Sequence, residues 1–419
     1  MGKLSQLSET LIGSEIVRLG NEINARIRNG EHIYNFTIGD FNPTIFPIPI
    51  ELESEIIEAY QNKYTNYPAG EGILALRESV SVFLKKHEDL DYSTSEIQIA
   101  SGGRPLIYSI YRAIVDKGDK VIYPVPSWNN NHYVHFTEGE HVVIHTTAEN
   151  KFMPTAADIA PHIKGATLIA LCSPLNPTGT TFSKSNLEEI CDLVLAENAS
   201  RSADEKKLYL LYDQIYWTLT HGETEHHNPV SINPAMKEYT IFVDGISKSF
   251  SATGVRVGWS MGPANIINKV KAILSHVGAW APMAEQVATA NYLKNDNAMQ
   301  TYFTTFKKAL IDRLMGFHQG FQAMKADGIA VDSIAPEAAI YLTVKIDVKG
   351  KTKENGDVIA SQMDVWQYIL DEAKVALVPF SSFGAGKDSP WYRMSIGTSK
   401  LDEMQTVLQS IRTALLKLK

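Results

Sequence analysis

Val243-Asp244-Gly245-Ile246-Ser247-Lys248-Ser249-Phe250-Ser251-Ala252-Thr253-Gly254-Val255-Arg256-Val257-Gly258-Trp259 places one lysine just after a short apolar run, among small and hydroxyl-bearing neighbours, with an arginine and two glycines close behind. Such a segment packs poorly as a core. Small neighbours leave room around an amine, and the Arg256 guanidinium offers a rigid fork of donors to a bound anion. A lysine amine also condenses with aldehydes. The window therefore points to a reachable amine beside an anion site. Reading it as a plain surface turn requires the rest of the chain to offer nothing complementary.

Working outward, short apolar runs recur between helical patterns at Ile97–Ala100, Lys120–Tyr123, Val142–His145, Thr167–Cys172, Leu208–Tyr212, Thr240–Val243 and Val257–Met261. Strands alternating with helices predict a mostly parallel sheet covered on both faces. Ligands of such sheets bind beyond the carboxyl ends of the strands, so the polar residues after each run share one destination.

Those residues are chemically varied. Ile97–Ala100 leads into Ser101-Gly102-Gly103-Arg104-Pro105 and a helical stretch, Leu106–Val115. Glycines there allow close backbone approach, and a helix N-terminus attracts phosphate. After Lys120–Tyr123 comes Trp128, whose flat indole can stack on a flat ring. After Thr167–Cys172, Asn176 lies between Pro174 and Pro177, its amide free to donate. After Leu208–Tyr212 come the Asp213 carboxylate, suited to hold a pyridine nitrogen protonated, and the Tyr216 hydroxyl. An anion cradle, an aromatic plate, an amide, a carboxylate and a lysine are together what pyridoxal phosphate requires, since it carries a phosphate, an aldehyde and a pyridine ring.

In these motifs the chain resembles the class I and II aminotransferases, which are fold type I pyridoxal-phosphate enzymes. The likeness rests on Ser247-Lys248 followed by Gly254-Val255-Arg256-Val257-Gly258-Trp259, and on Asn176-Pro177-Thr178-Gly179. By that resemblance Lys248 would form the internal aldimine with pyridoxal 5'-phosphate, Asp213 would pair with the pyridine nitrogen, and Tyr216 and Asn176 with the phenolic oxygen. Trp128 would stack on the ring. Gly102, Gly103, Arg104 and Arg256 would hold the phosphate, and Ser247 would join the cofactor contacts. Arg393, in Tyr392-Arg393-Met394-Ser395, would receive the substrate carboxylate with Asn176, and Gly39 would belong to a gate over the substrate. Tyr67, ahead of Gly72-Ile73-Leu74-Ala75-Leu76-Arg77, would reach the cofactor of a partner subunit, which makes the active unit a homodimer. The implied reaction is amino-group exchange between an L-amino acid and a 2-oxo acid through a pyridoxamine phosphate intermediate. A carbon–sulfur lyase working by β-elimination on the same fold is the alternative.

Length and composition are consistent with this reading. A chain of 419 residues exceeds what one hydrophobic core usually supports. The expected α/β organisation is a large domain with a mostly parallel sheet covered by helices on both faces, plus a smaller α+β domain formed by the N- and C-terminal segments. Residues 1–50 supply the N-terminal part of the small domain and the gate. Residues 51–300 form the cofactor-binding domain, and residues 301–419 the rest of the small domain, entered by a long linking helix. A net charge of -8 lacks the basic face that nucleic acid requires. Cys172 and Cys191 form neither a disulfide framework nor a metal-ligand spacing, no apolar stretch is long enough for a bilayer, and Met1 to Leu11 is polar, so a cytoplasmic location is expected.

Two departures from the family pattern stand out, the first bearing on the substrate and the second on the local backbone. His276-Val277-Gly278-Ala279-Trp280 precedes Pro282 where dicarboxylate-specific members carry an arginine, a departure that disfavours an aspartate-dedicated enzyme of that branch. The family's Pro-x-Gly-Ala-Phe-Tyr reads Pro336-Glu337-Ala338-Ala339-Ile340-Tyr341. Trp280, Tyr341, Phe380 and Phe383 are candidates for an apolar or aromatic substrate pocket, with core packing as the competing explanation, and His132 is either a substrate contact or a solvated loop residue.

Overall fold

The computed structural model describes residues 4–419, so the first three residues of the 1–50 segment lie outside the described residues. The strands in chain order are β1 (Tyr34–Asn35), β2 (Ile97–Ala100), β3 (Lys120–Val125), β4 (Glu140–His145), β5 (Ala166–Cys172), β6 (Tyr209–Asp213), β7 (Thr240–Gly245), β8 (Gly258–Met261), β9 (Val331–Ser333), β10 (Tyr341–Ile346), β11 (Val375–Ala376), β12 (Val378–Pro379) and β13 (Trp391–Ser395).

The principal sheet runs β2-β8-β7-β6-β5-β3-β4. Only β8 opposes the others, pairing antiparallel with both β2 and β7, and the remaining pairs are parallel. Alternation along the strands divides the apolar side chains between the two faces. Leu168 and Ala170 of β5, Leu211 of β6 and Ile241 and Val243 of β7 enter one core. Ile169 and Leu171, Leu210 and Tyr212, and Phe242 enter the other. Covering both faces makes near-continuous apolar strands stable, as the sequence expects.

A second assembly is built on the sheet β12-β13-β10-β9. Its core takes Leu19 and Ile23 from the helix Glu15–Arg28 together with the C-terminal helix Met404–Leu416. The helix Asp296–Ala326 joins the two assemblies. Ala298 and Met299 belong to a core of the principal sheet, whereas Phe306 through Met324 belong to the second core.

Local departures from regular structure have identifiable causes. β1 stops at Asn35, whose side chain accepts from the Thr37 N–H and hydroxyl. The apolar run from Val375 to Pro379 forms two strands, since β11 pairs with β1 while β12 pairs with β13. Regular helix from Gln362 ends at Tyr368 and widens over Ile369–Ala373 before Lys374 turns left-handed.

Candidate active site

The carboxyl ends of β5, β6 and β7 open into a cavity of about 590 Å³ that residues of the second assembly also line. That volume suits a small ligand together with a substrate. Lys248 lies in a short helical turn immediately after β7, and its Nζ donates to the Gly39 carbonyl at 2.7 Å. The left-handed backbone at Ser251 (φ 54°) and Arg256 (φ 64°) brackets the loop after it. Non-glycine residues hold this conformation only where their surroundings over-determine it. Arg256 is fixed by donating to the Thr253 carbonyl at 2.7 Å and the Ser101 carbonyl at 2.6 Å.

Gly102 shows why the cradle needs glycine. Its φ is +89°, and an added Cβ would lie 2.3 Å from Arg256 Nη2. The helix Gly103–Ile114 starts there and presents its first N–H groups beside the guanidinium. Gly102, Gly103 and Arg256 thus converge. Arg104, grouped with them by resemblance, has its guanidinium 4.6 Å from the centre of the Trp128 ring.

Asp213 ends β6 facing the cavity, its Oδ1 accepting from the Ile215 N–H at 3.1 Å. Burial pushes its carboxyl up to about 6, with that backbone bond pulling the other way. Burial likewise pulls the Lys248 amine down from 10.5 to about 8, Asp40 opposing the shift and the nearby arginines adding to it. Lys248 therefore lowers stability where the folded protein must hold a buried cation. From about pH 8 to 10.5 the folded amine is already neutral while the unfolded one still binds a proton, so stability rises with pH across that window. Lys248→Met is expected to stabilise the cofactor-free protein at pH 7 by up to about 3 kcal/mol. That gain should disappear by pH 10.5 in urea unfolding, and an equal gain at both pH values would contradict it.

On the opposite wall Arg393 of β13 is 2% exposed. Its guanidinium lies 4.8 Å from the Tyr341 ring centre and 4.9 Å from that of Phe383. It donates to Thr37 O at 2.7 Å and Asn176 Oδ1 at 3.1 Å, whereas its buried Nε has no partner among the described residues. Asn176, Trp128, Tyr216, Ser247 and Gly39 line the same cavity.

Other candidates fall elsewhere. Tyr67 is 82% exposed, and its ring meets Trp280 edge-on at 5.3 Å, neither residue lining the cavity. The apolar pocket is corrected. Phe380 and Phe383 are buried in the second core, and of the four proposed residues only Tyr341 faces the cavity. Half-buried His132 is not among the lining residues. Conversely, Asp40 was not singled out. It lines the cavity and accepts from the Thr253 hydroxyl at 2.7 Å. Its signal was an acid beside Gly39 in an irregular loop. Ser14, Ile16 and Val17 also line the cavity, and their helical spacing reads only as amphipathic packing.

The family described as aminotransferase class I and II matches residues 31–411. An aspartate aminotransferase of Bacillus sp. (strain YM-2) is 30% identical over 342 residues, covering 81% of this chain and 82% of its own. A probable aspartate/prephenate aminotransferase of Rickettsia felis is 29% identical over 378 residues, covering 88% of this chain and 86% of its own. The crystal structure of the aspartate aminotransferase from Rhizobium meliloti superposes with a TM-score of 0.90 at 25% identity, covering 100% of both chains. A family match over almost the whole length, on a fold that gathers a lysine, a carboxylate and two arginine forks around one cavity, means that this chain belongs to the class I and II aminotransferase family and is a transaminase.

Proposed function

We propose that the cavity holds pyridoxal 5'-phosphate and exchanges the amino group of an acidic L-amino acid with a 2-oxo acid. The donor set fits the cofactor. The Gly102 cradle excludes any Cβ beside Arg256, and Asp213 is a half-buried carboxylate whose only hydrogen bond among the described residues comes from a backbone N–H. In this reading Gly102, Gly103 and Arg256 hold the phosphate, Trp128 covers the ring, Asp213 faces the pyridine nitrogen, and Tyr216 with Asn176 faces the ring oxygen. When bound, the cofactor supplies an electron-poor ring that takes up the electron pair left on the substrate Cα. The chain's own part is acid–base and positional. Lys248 Nζ would take the Cα proton and pass it to the cofactor's aldehyde carbon, an amine with a lowered pKa being a competent base near neutral pH. Arg393 orients the substrate by its carboxylate.

The reading includes a homodimer in which Tyr67 would reach the partner's cofactor, and the large exposure of the Tyr67 ring supports it. Among the described residues no helix is long and apolar enough to cross a membrane.

The observation that carries the substrate class is Arg104. It is an exposed guanidinium within the cavity, resting on Trp128, while Arg256 is tied to the cradle and Arg393 to Asn176 and Thr37. A distal carboxylate is the complementary group, and it needs no arginine before Pro282. With 2-oxoglutarate as acceptor, aspartate is expected to turn over faster than phenylalanine or leucine. Arg104→Met should lower kcat/KM for aspartate by roughly tenfold to a hundredfold, the worth of one charge-assisted contact, and affect alanine far less. Preference for phenylalanine over aspartate would overturn the acidic-donor assignment. Pyruvate and ammonia from a β-thio amino acid, in place of amine exchange, would restore the lyase alternative.

A further inference from the structure

Two buried tyrosines meet at the cavity wall. Tyr216 follows β6 and Tyr341 begins β10, yet their hydroxyl oxygens lie 2.5 Å apart, with the rings edge-on at 5.6 Å. Both line the cavity. Arg393 lies over the Tyr341 ring, and Gly39 closes the other side, where a Cβ would come within 3.0 Å of the Tyr341 oxygen.

A backbone clamp fixes this meeting. Ala339 has a φ of 59°, a left-handed conformation that alanine keeps only under constraint. Its N–H donates to Leu219 O at 2.8 Å, and its carbonyl accepts from His221 Nε2 at 2.9 Å. The His221 N–H donates to Glu337 O at 2.8 Å, and the Ala338 N–H to Gly179 O at 2.9 Å. The segment running on from Tyr216 thus grips the segment that leads into Tyr341, and the two hydroxyls are held in register.

The direction of the bond follows from the charges around it. Burial raises both phenols and the Arg393 cation pulls both back, but that pull is second only to burial on Tyr341, whose ring Arg393 overlies, and the least of the influences on Tyr216, so the Tyr341 hydroxyl is the readier donor. Tyr341 then donates to the Tyr216 oxygen, whose own proton is left to point elsewhere. A hydroxyl that already accepts a bond donates more strongly.

We propose that Tyr341 is a positioning residue whose hydroxyl turns the Tyr216 proton into the cavity, toward the ring oxygen of bound pyridoxal phosphate. The proposal rests on the cofactor reading above and adds a residue that acts only through Tyr216. A donor on the ring oxygen neutralises negative charge there and so disfavours protonation of the neighbouring nitrogen of the bound chromophore.

The test is the pH titration of visible absorbance in enzyme loaded with pyridoxal phosphate, for wild type, Tyr216→Phe, Tyr341→Phe and the double variant. Tyr216→Phe is expected to raise the midpoint. Tyr341→Phe should raise it by about half a pH unit, the scale of one hydrogen bond. The double variant should match Tyr216→Phe alone. A shift in Tyr216→Phe with none in Tyr341→Phe overturns the positioning role and leaves the cofactor reading intact. Additive shifts overturn it as well, and no shift in Tyr216→Phe removes the Tyr216 assignment on which it rests. Should Tyr341→Phe fail to fold, His221→Leu removes the side-chain donor to the Ala339 carbonyl and loosens the clamp while keeping both hydroxyls. It is expected to raise the midpoint in the same direction, and an unchanged midpoint there overturns the proposal.

Discussion

Lys248→Ala is expected to lose both the visible absorbance of pyridoxal phosphate-loaded enzyme and turnover, the latter by roughly 10⁴-fold. The same amine is assigned two tasks, covalent attachment and proton transfer at the substrate Cα, and no second lysine among the described residues lines the cavity. The Arg256 and Gly102 cradle is untouched by the change, so phosphate affinity should survive where chemistry does not. A variant that binds pyridoxal phosphate but shows no shifted absorbance matches this account. A variant that keeps the shifted absorbance removes Lys248 from it.

Arg393→Lys is the second large effect. The planar guanidinium is held between the Tyr341 and Phe383 rings, donating to Thr37 O and Asn176 Oδ1. A lysine ammonium cannot fill that slot or present a bidentate fork to a carboxylate. Removing a buried charge contact of this kind is expected to lower kcat/KM by roughly a hundredfold to a thousandfold. The loss should fall mainly on KM, for amino acid and 2-oxo acid alike, because both carry the α-carboxylate. The absorbance of the loaded enzyme should be unchanged. An unaltered KM with a depressed kcat would place Arg393 outside substrate binding.

Strand ends made much of the site legible. Asp213 and Lys248 are polar residues placed straight after apolar runs, and a parallel sheet delivers such positions to one edge whatever the loops do. Gly102 was legible as a place where glycine is needed, and its backbone has φ +89° with Arg256 against it. Specificity was harder to see. Phe380 and Phe383 resemble pocket residues in sequence but enter the second core, because the chain leaves β11, pairs as β12 and turns inward at once. Arg104 sits beside the cradle glycines in sequence, yet its side chain is long enough to lie on Trp128. The Tyr216–Tyr341 pair had no local signal, since its partners are 125 residues apart and come from different sheets. Ala338 stands where the family pattern has glycine, whereas the left-handed backbone falls on its neighbour Ala339 and is stabilised by His221 and Leu219, which sequence alone does not bring near.

The central claim is that the amine after β7 is the attachment point. Incubating the protein with pyridoxal phosphate, reducing with borohydride and mapping the modified peptide by mass spectrometry tests it most directly. The account predicts one reduced phosphopyridoxyl group per chain, on Lys248. Labelling of another lysine in its place, or none, would contradict it.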